Sequence, residues 1–188
     1  KMLVKEGDVV KAGSPLFSDK TFAEMLFASP VSGKVVAIVR GDRRKVLHID
    51  IQADAQIAYE TFDAKVTTGE EVKALLLKAG VWSFLKQRPY DCIALPTKSP
   101  KAIYISAFDS APCAPDYDYV VKGHAATLQA AVNALALMAP VHVGIRHGQA
   151  AEWQSLKNVT LTEFAGPHPA GNVSVQINHT SPIAKGET

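Results

Sequence analysis

Cysteine is scarce in this 188-residue chain, which holds only Cys92 and Cys113. Two thiols so far apart form no C-x-x-C pair and no disulfide scaffold, which fits a reducing compartment such as the cytoplasm. A one-sided charge is missing too: 20 Lys and Arg against 18 Asp and Glu leave +2, with +1 in residues 1–66 and +1 in residues 67–188. Neither part is the basic surface that phosphate neutralisation needs, so no nucleic-acid partner is expected. No apolar run approaches the roughly 18–20 residues that span a bilayer; the best, Ala130 to Val143, contains Asn133 and His142. No transmembrane segment is expected. Lys1-Met2-Leu3-Val4 is followed by no signal-peptide core and reads like the middle of a strand, predicting a piece of a longer chain. What the chain does have is 47% hydrophobic residues against 20% charged, enough for one large or two small cored domains and too much for disorder.

From Val4 to Phe62 the apolar residues come in short runs (Val9-Val10, Leu16-Phe17, Val35 to Val39, Val46 to Ile51) separated by glycine-rich turns. That pattern predicts a small β barrel or sandwich. Glu6 to Leu16 and Ser29-Pro30-Val31-Ser32-Gly33-Lys34-Val35 resemble the biotinyl/lipoyl barrel-sandwich family, whose carrier lysine sits at a hairpin tip. Here Lys20 precedes Pro30 by ten residues, where carriers of the family place the proline about eight after the lysine. Lys20 therefore reads as a solvated turn lysine, and Arg40, Arg43, Arg44 and Lys45 as a solvated hairpin tip that an acidic partner could also meet.

At Thr68 the grammar changes. Thr68-Gly69-Glu70-Glu71 is a capping box, Val72, Leu75, Leu76 and Ala79 follow at helical spacing, and Gly80 is a stop, so a helix is predicted over 70–79. Asp91 to Leu95 and Lys101 to Phe108 read as buried strands. Gly123 to Met138, with Leu128, Val132 and Leu135 on one face, reads as a second helix that Pro140 ends before the strand Val141 to Ile145. Strand, helix and strand make a βαβ unit, and Val159 to Phe164 and Val173 to Ile177 read as two further strands. The expected fold is α/β (α+β overall): a barrel-sandwich module over 1–66 and a Rossmann-like α/β domain over 67–188.

No catalytic residue, cofactor site or metal site is expected. There is no G-x-G-x-x-G, and Gly80-Val81-Trp82-Ser83-Phe84 puts bulk where a phosphate loop needs small residues, so Trp82 or Phe84 is expected to fill space that a nucleotide would take. There is no G-x-S-x-G, and Cys113 has no sequence signal for a base. His142 and His147 are five apart and point to opposite strand faces; Asp109, Asp116 and Asp118 lie in a proline-rich connection; His48 reads as a half-buried strand residue. The unusual segment is Gly166-Pro167-His168-Pro169-Ala170-Gly171, a stiff loop expected between two strands that presents one imidazole, either as structure or as a docking face.

Lys1 to Asp8, Leu16-Phe17-Ser18-Asp19-Lys20, Ala28 to Gly33 and above all Phe164 to Gly171 together resemble the A-subunit family of the Na+-translocating NADH:quinone oxidoreductases, over the whole chain. Ile105-Ser106-Ala107-Phe108-Asp109-Ser110-Ala111-Pro112 is similar to I-N-G-A-E-C-E-P of two more distant families, the Rnf C-subunits and the flavin-binding subunits of complex I, with Asp109 at the first acid and Ala111 where the second acid stands. The resemblance implies a non-catalytic subunit, peripheral on the cytoplasmic side of the membrane. It would bind no cofactor of its own, meet membrane-embedded subunits of the same complex, and help bind quinone, with Gly166, Pro167, His168, Pro169 and Gly171 as the quinone or partner face. A degenerate flavin/NADH-binding domain and a biotin/lipoyl-type carrier are the alternatives.

Overall fold

Alternation builds the first elements. Strand β1 (Val9–Val10) and strand β2 (Pro15–Ser18) are followed by β3 (Leu26–Ala28), β4 (Gly33–Arg40) and β5 (Val46–Ala53). Along β4, Val35 is buried while Lys34 and Val36 face outward, the period-2 pattern of a half-buried strand. β1 pairs antiparallel with one edge of β4, Val10 opposite Gly33, and β5 with the other, Val35 opposite Ile51. β2 and β3 form a separate antiparallel pair in which the rings of Phe17 and Phe27 stack with centroids 4.7 Å apart. Val10, Leu16 and Val35 form the core, and Val4, Phe17, Ile38, Ile49 and Ile51 pack on it. The short-strand grammar has produced a barrel-sandwich hybrid.

The structure, a computed structural model, describes residues 1–187 and packs as two units. The first takes Lys1–Lys65, Lys73–Lys86 and Ile93–Pro96; the second takes Val66–Val72, Gln87–Cys92 and the residues from Thr97 onward. Helix α1 (Gly69–Lys78) starts at the predicted box: the Glu71 N–H donates to Thr68 Oγ1 (3.3 Å) and the Thr68 N–H to Glu71 Oε2 (3.1 Å). It ends in a Schellman motif, with the Val81 N–H on the Leu76 carbonyl and the Gly80 N–H on that of Leu77. Gly80 has φ +74°, and a Cβ there would lie 2.7 Å from that of Ala28, so the stop requires glycine on two counts. A 3-10 turn (Trp82–Phe84) follows, and then two-residue strands β6 (Lys86–Gln87) and β7 (Cys92–Ile93). Of the strand expected over 91–95 only Cys92–Ile93 forms; at its start Asp91 adopts φ +52°, outside the extended region.

The second unit is a three-stranded parallel sheet with helices. In chain order it holds β8 (Ile103–Ser106), α2 (Tyr117–Val121), α3 (Ala125–Ala136), β9 (Val141–Arg146), α4 (Ala151–Gln154), β10 (Thr160–Phe164) and α5 (Val173–Thr180). β9 is central, with Ile103 opposite Val141 on one side and Thr160 opposite His142 on the other, both parallel. Parallel neighbours need crossovers, which α3 and α4 supply. Ala107, Val132, Val141, Val143, Trp153 and Leu156 form the core.

One expected strand is a helix. Val173 and Ile177 suit a strand at two-residue spacing and a helix at four-residue spacing equally well. Asn172 decides it, because its side chain accepts the Ser174 N–H at 2.9 Å and caps α5. The Gly166–Gly171 loop therefore joins a strand to a helix, not two strands.

Candidate functional site

In a parallel sheet all strands end on the same edge, and the loops leaving the carboxyl ends gather there. Here these loops follow Ser106, Arg146 and Phe164. The first two line a crevice of about 370 Å³, with Phe108, Asp109, Ser110, Asp116, Arg146 and Gln149 among its lining residues, and the third is bonded to Ser110 of that lining. The sequence pattern points to Asp109 and the His168 loop; it gives no sign of Arg146, Gln149, Ser106, Ser110 or Gln176.

Buried amides hold the crevice wall. The Gln149 side chain accepts the Arg146 N–H at 2.8 Å, donates to the Ala107 carbonyl, and donates to Asp118 Oδ1 at 2.9 Å. Asp118 also accepts the Ala150 N–H at 3.2 Å. With its hydrogen-bonding capacity engaged by protein, Gln149 is a positioning side chain. Asp109 Oδ1 accepts the Ala111 N–H (2.9 Å), and Asp116 Oδ1 accepts the Asp118 N–H (3.0 Å), so each carboxylate keeps one oxygen outside these turns. The Arg146 guanidinium has no ion-pair partner among the described residues.

The His168 loop is sewn to the same edge. The Gly171 N–H donates to Ser110 Oγ at 2.9 Å, and Ser110 Oγ lies 3.2 Å from His168 Nδ1. The hydroxyl that accepts from Gly171 can give its own proton to Nδ1, and in the tautomer that takes it Nε2–H points away from Ser110 as a donor. From α5 the buried Gln176 donates to Ser106 Oγ (2.9 Å) and to the Ala170 carbonyl (3.1 Å), and the Ser106 hydroxyl lies 2.9 Å from the Gly171 carbonyl. Gly166, Pro167, His168 and Pro169 are exposed, whereas Gly171 is buried. Gly166 has φ +133°; Gly171 is needed for closeness, since a Cβ there would lie 2.5 Å from the Ser110 nitrogen. His168 is thus fixed by a serine side chain, not by neighbouring backbone carbonyls. No spacing rule predicts Ser110 or Gln176, since 58 and 70 residues separate them from His168 and Ser106.

The other candidates fall apart spatially. His142 stacks on Tyr104 at 4.8 Å, and His147 pairs with Glu163 across the ends of β9 and β10. Among the described residues no group of three or more His, Cys, Asp or Glu is placed to hold a metal ion. His48 is exposed beside Asp50, not half-buried, because it lies on the outer face of β5. Lys20 is exposed in the connection between β2 and β3, where Asp19 accepts the Thr21 and Phe22 N–H groups at 2.7 and 2.9 Å. Those bonds, Phe22 foremost, hold the Asp19 carboxyl below its usual range. Gly80 to Phe84 is not a strand-to-helix turn at all. It leaves the carboxyl end of α1, where carbonyls rather than N–H groups are unsatisfied, and Trp82 is buried with its indole N–H on the Ala94 carbonyl (2.7 Å) while Phe84 is exposed.

A pyrophosphate does not suit the crevice. The loop after β8 has no glycine before Gly123, and two carboxylates face the one guanidinium. The arrangement offers one strong cationic donor (Arg146) and carboxylate acceptors, which suits a neutral polar ligand better than a polyanion.

A barrel-sandwich hybrid followed by an α/β domain with its polar groups gathered at the carboxyl edge of a parallel sheet is the class that these features define. The family description "NqrA N-terminal barrel-sandwich hybrid domain" matches residues 1–54, and "NqrA second alpha/beta domain" matches residues 67–188. The A-subunit of the Na(+)-translocating NADH-quinone reductase of Yersinia pseudotuberculosis serotype O:1b is 37% identical over 191 residues, covering 98% of this chain and 43% of that protein. The same-named proteins of Serratia proteamaculans and Pseudomonas aeruginosa UCBPP-PA14 are 34% and 33% identical, over 100% of this chain and 44% and 43% of theirs. The chain belongs to the NqrA family and spans less than half the length of these relatives.

Proposed function

We propose that this chain is part of a peripheral subunit of a Na+-translocating NADH:quinone reductase, on the cytoplasmic side of the membrane, that carries no flavin, helps bind quinone and assembles with the membrane-embedded subunits. Residues 1–66 form its barrel-sandwich module and 67–188 its α/β domain. The observation that carries this reading is that both NqrA domains match in order along one chain. No helix among the described residues is long and apolar enough to cross a membrane, which agrees with a peripheral place.

Within this reading the Gly166–Gly171 loop and the adjoining crevice form the working face. His168 Nε2–H and the Arg146 guanidinium are donors suited to quinone carbonyls. In the assembled complex His168→Ala is expected to lower quinone reduction or subunit retention by several-fold, with the subunit's Tm nearly unchanged. A large loss of Tm with normal activity per folded complex would leave His168 a structural role only. The flavin-domain alternative predicts about one equivalent of bound flavin in the absorption spectrum of the purified full-length subunit.

A further inference from the structure

The tip of the β4–β5 hairpin holds the chain's positive charge. Of 20 cationic and 18 anionic side chains, Arg40, Arg43, Arg44, Lys45 and the single acid Asp42 fall within six residues, leaving 16 against 17 elsewhere. The tip is therefore +3 and the remainder of the chain −1. All four cations are exposed, and none is in an ion pair among the described residues.

The backbone here is unusual. Arg43 and Arg44 have φ +54° and +61°, two consecutive left-handed positions occupied by long side chains where glycine or asparagine would sit with less strain. Consecutive left-handed residues are common in hairpin turns, which favour glycine and asparagine there; arginine in both places is the departure. The turn is closed by the Gly41 N–H on the Lys45 carbonyl (2.8 Å), and Arg40 Nη1 reaches the Arg44 carbonyl (3.4 Å). Beside the cations, Leu47 is 57% exposed, its side chain lying over Gly41.

We infer that this tip docks on an anionic phospholipid surface. Arg43, Arg44 and Lys45 are successive residues of the turn and Arg40 ends β4, so no single strand face carries the four and they suit a plane of many anions better than one row of carboxylates. Three of them are arginines, whose planar fork binds phosphate oxygens in pairs. Leu47 adds an apolar side chain that a lipid interface accepts and a purely acidic peptide does not match. Because the rest of the chain is slightly acidic, the attraction is local and orients the module tip-first. Four cations give a weak contact, one that adds to protein contacts in an assembly and does not anchor alone. The inference is independent of the quinone reading.

The test is flotation of the full-length protein with phosphatidylcholine vesicles with and without phosphatidylglycerol, at low and high salt. Binding is expected only with phosphatidylglycerol and is expected to fall as salt rises. Arg43→Asn with Arg44→Asn keeps residues that tolerate the left-handed backbone, so Tm should hold or rise, while vesicle partition drops roughly 30-fold, about fivefold for each cation lost. The paired Arg→Lys variant should retain most binding. Quinone reduction by the detergent-solubilised complex is expected to be the same for both variants, which separates this inference from the function proposed above. Equal binding to neutral and anionic vesicles, salt-independent binding, or an unaffected Asn variant overturns it. So does finding that the tip crosslinks to an acidic segment of another protein of the complex while the chain ignores anionic vesicles.

Discussion

Replacing Gly171 by alanine tests whether the His168 loop is held the way the structure shows. The new methyl would lie 2.5 Å from the Ser110 nitrogen and 2.8 Å from both the carbonyl carbon and Cα of Asp109. These are backbone atoms that cannot swing aside, so the loop must move away by roughly 1 Å to reach ordinary contact. The two hydrogen bonds at this point are both 2.9 Å long, from the Gly171 N–H to Ser110 and from Ser106 to the Gly171 carbonyl, and such a shift takes them past useful length. Overpacking costs about 1–3 kcal/mol and each lost bond about 0.5–1.5 kcal/mol, so a total of about 2–6 kcal/mol is expected. For a chain of this size that lowers Tm by roughly 4–24 °C. Urea unfolding and a thermal scan read the stability, and the His168 imidazole resonances report whether the ring has left Ser110. Ser110→Ala, which removes the bonds to Gly171 and to His168 without a clash, should cost about 1–3 kcal/mol and move the same resonances. A Gly171→Ala protein that melts within about 1 °C of the parent with unmoved His168 signals would refute the docking.

The remaining predictions concern the supports around it. Gln176→Leu strands the Ala170 carbonyl and costs about 1–3 kcal/mol in urea unfolding; an unchanged midpoint would mean that water replaces the amide. The two tryptophans should differ: Trp82→Phe leaves the Ala94 carbonyl without its indole donor and costs about 1–3 kcal/mol, whereas Trp153→Phe costs less, because the buried Trp153 N–H has no partner among the described residues to lose. Equal losses would argue against that distinction. The Thr67 N–H, then the Thr67 hydroxyl and the Thr68 N–H, hold the Glu71 carboxyl below its usual range. A carboxylate lowered on folding stabilises above its unfolded value of about 4.3 and loses that contribution as pH falls through the lower folded value. Amide exchange at Thr67 and Thr68, corrected for intrinsic rates, should therefore accelerate only below about pH 4 and not between pH 5 and 7.

Much of the architecture was legible because it is written in local patterns. The box at Thr68 and Glu71 and the Gly80 stop specify α1 from both ends, and period-2 burial around Val35 specifies a half-buried strand. The misreadings fell where two periods coincide or where one dihedral matters. Val173 and Ile177 satisfy strand and helix alike until the Asn172 side chain turns back on Ser174, and Asp91 drops out of the start of a plausible strand by a single positive φ. Gly80 to Phe84 follows the predicted helix, so it stands at a helix's carboxyl end and not between a strand and a helix, where a phosphate turn belongs.

The candidate site divides the same way. Composition and local sequence alone determined that the chain has a β-module ahead of an α/β domain, that its charge is nearly balanced, and that a proline-stiffened loop presents His168. Tertiary structure alone decided that Ser110 and Gln176 hold this loop, that Arg146 and Gln149 stand beside Asp109, and that the place of meeting is the carboxyl edge of β8, β9 and β10. The physical reason is that caps and periodicities act over three or four residues, whereas a parallel sheet brings together strand ends dozens of residues apart, and no local preference encodes which side chains meet there.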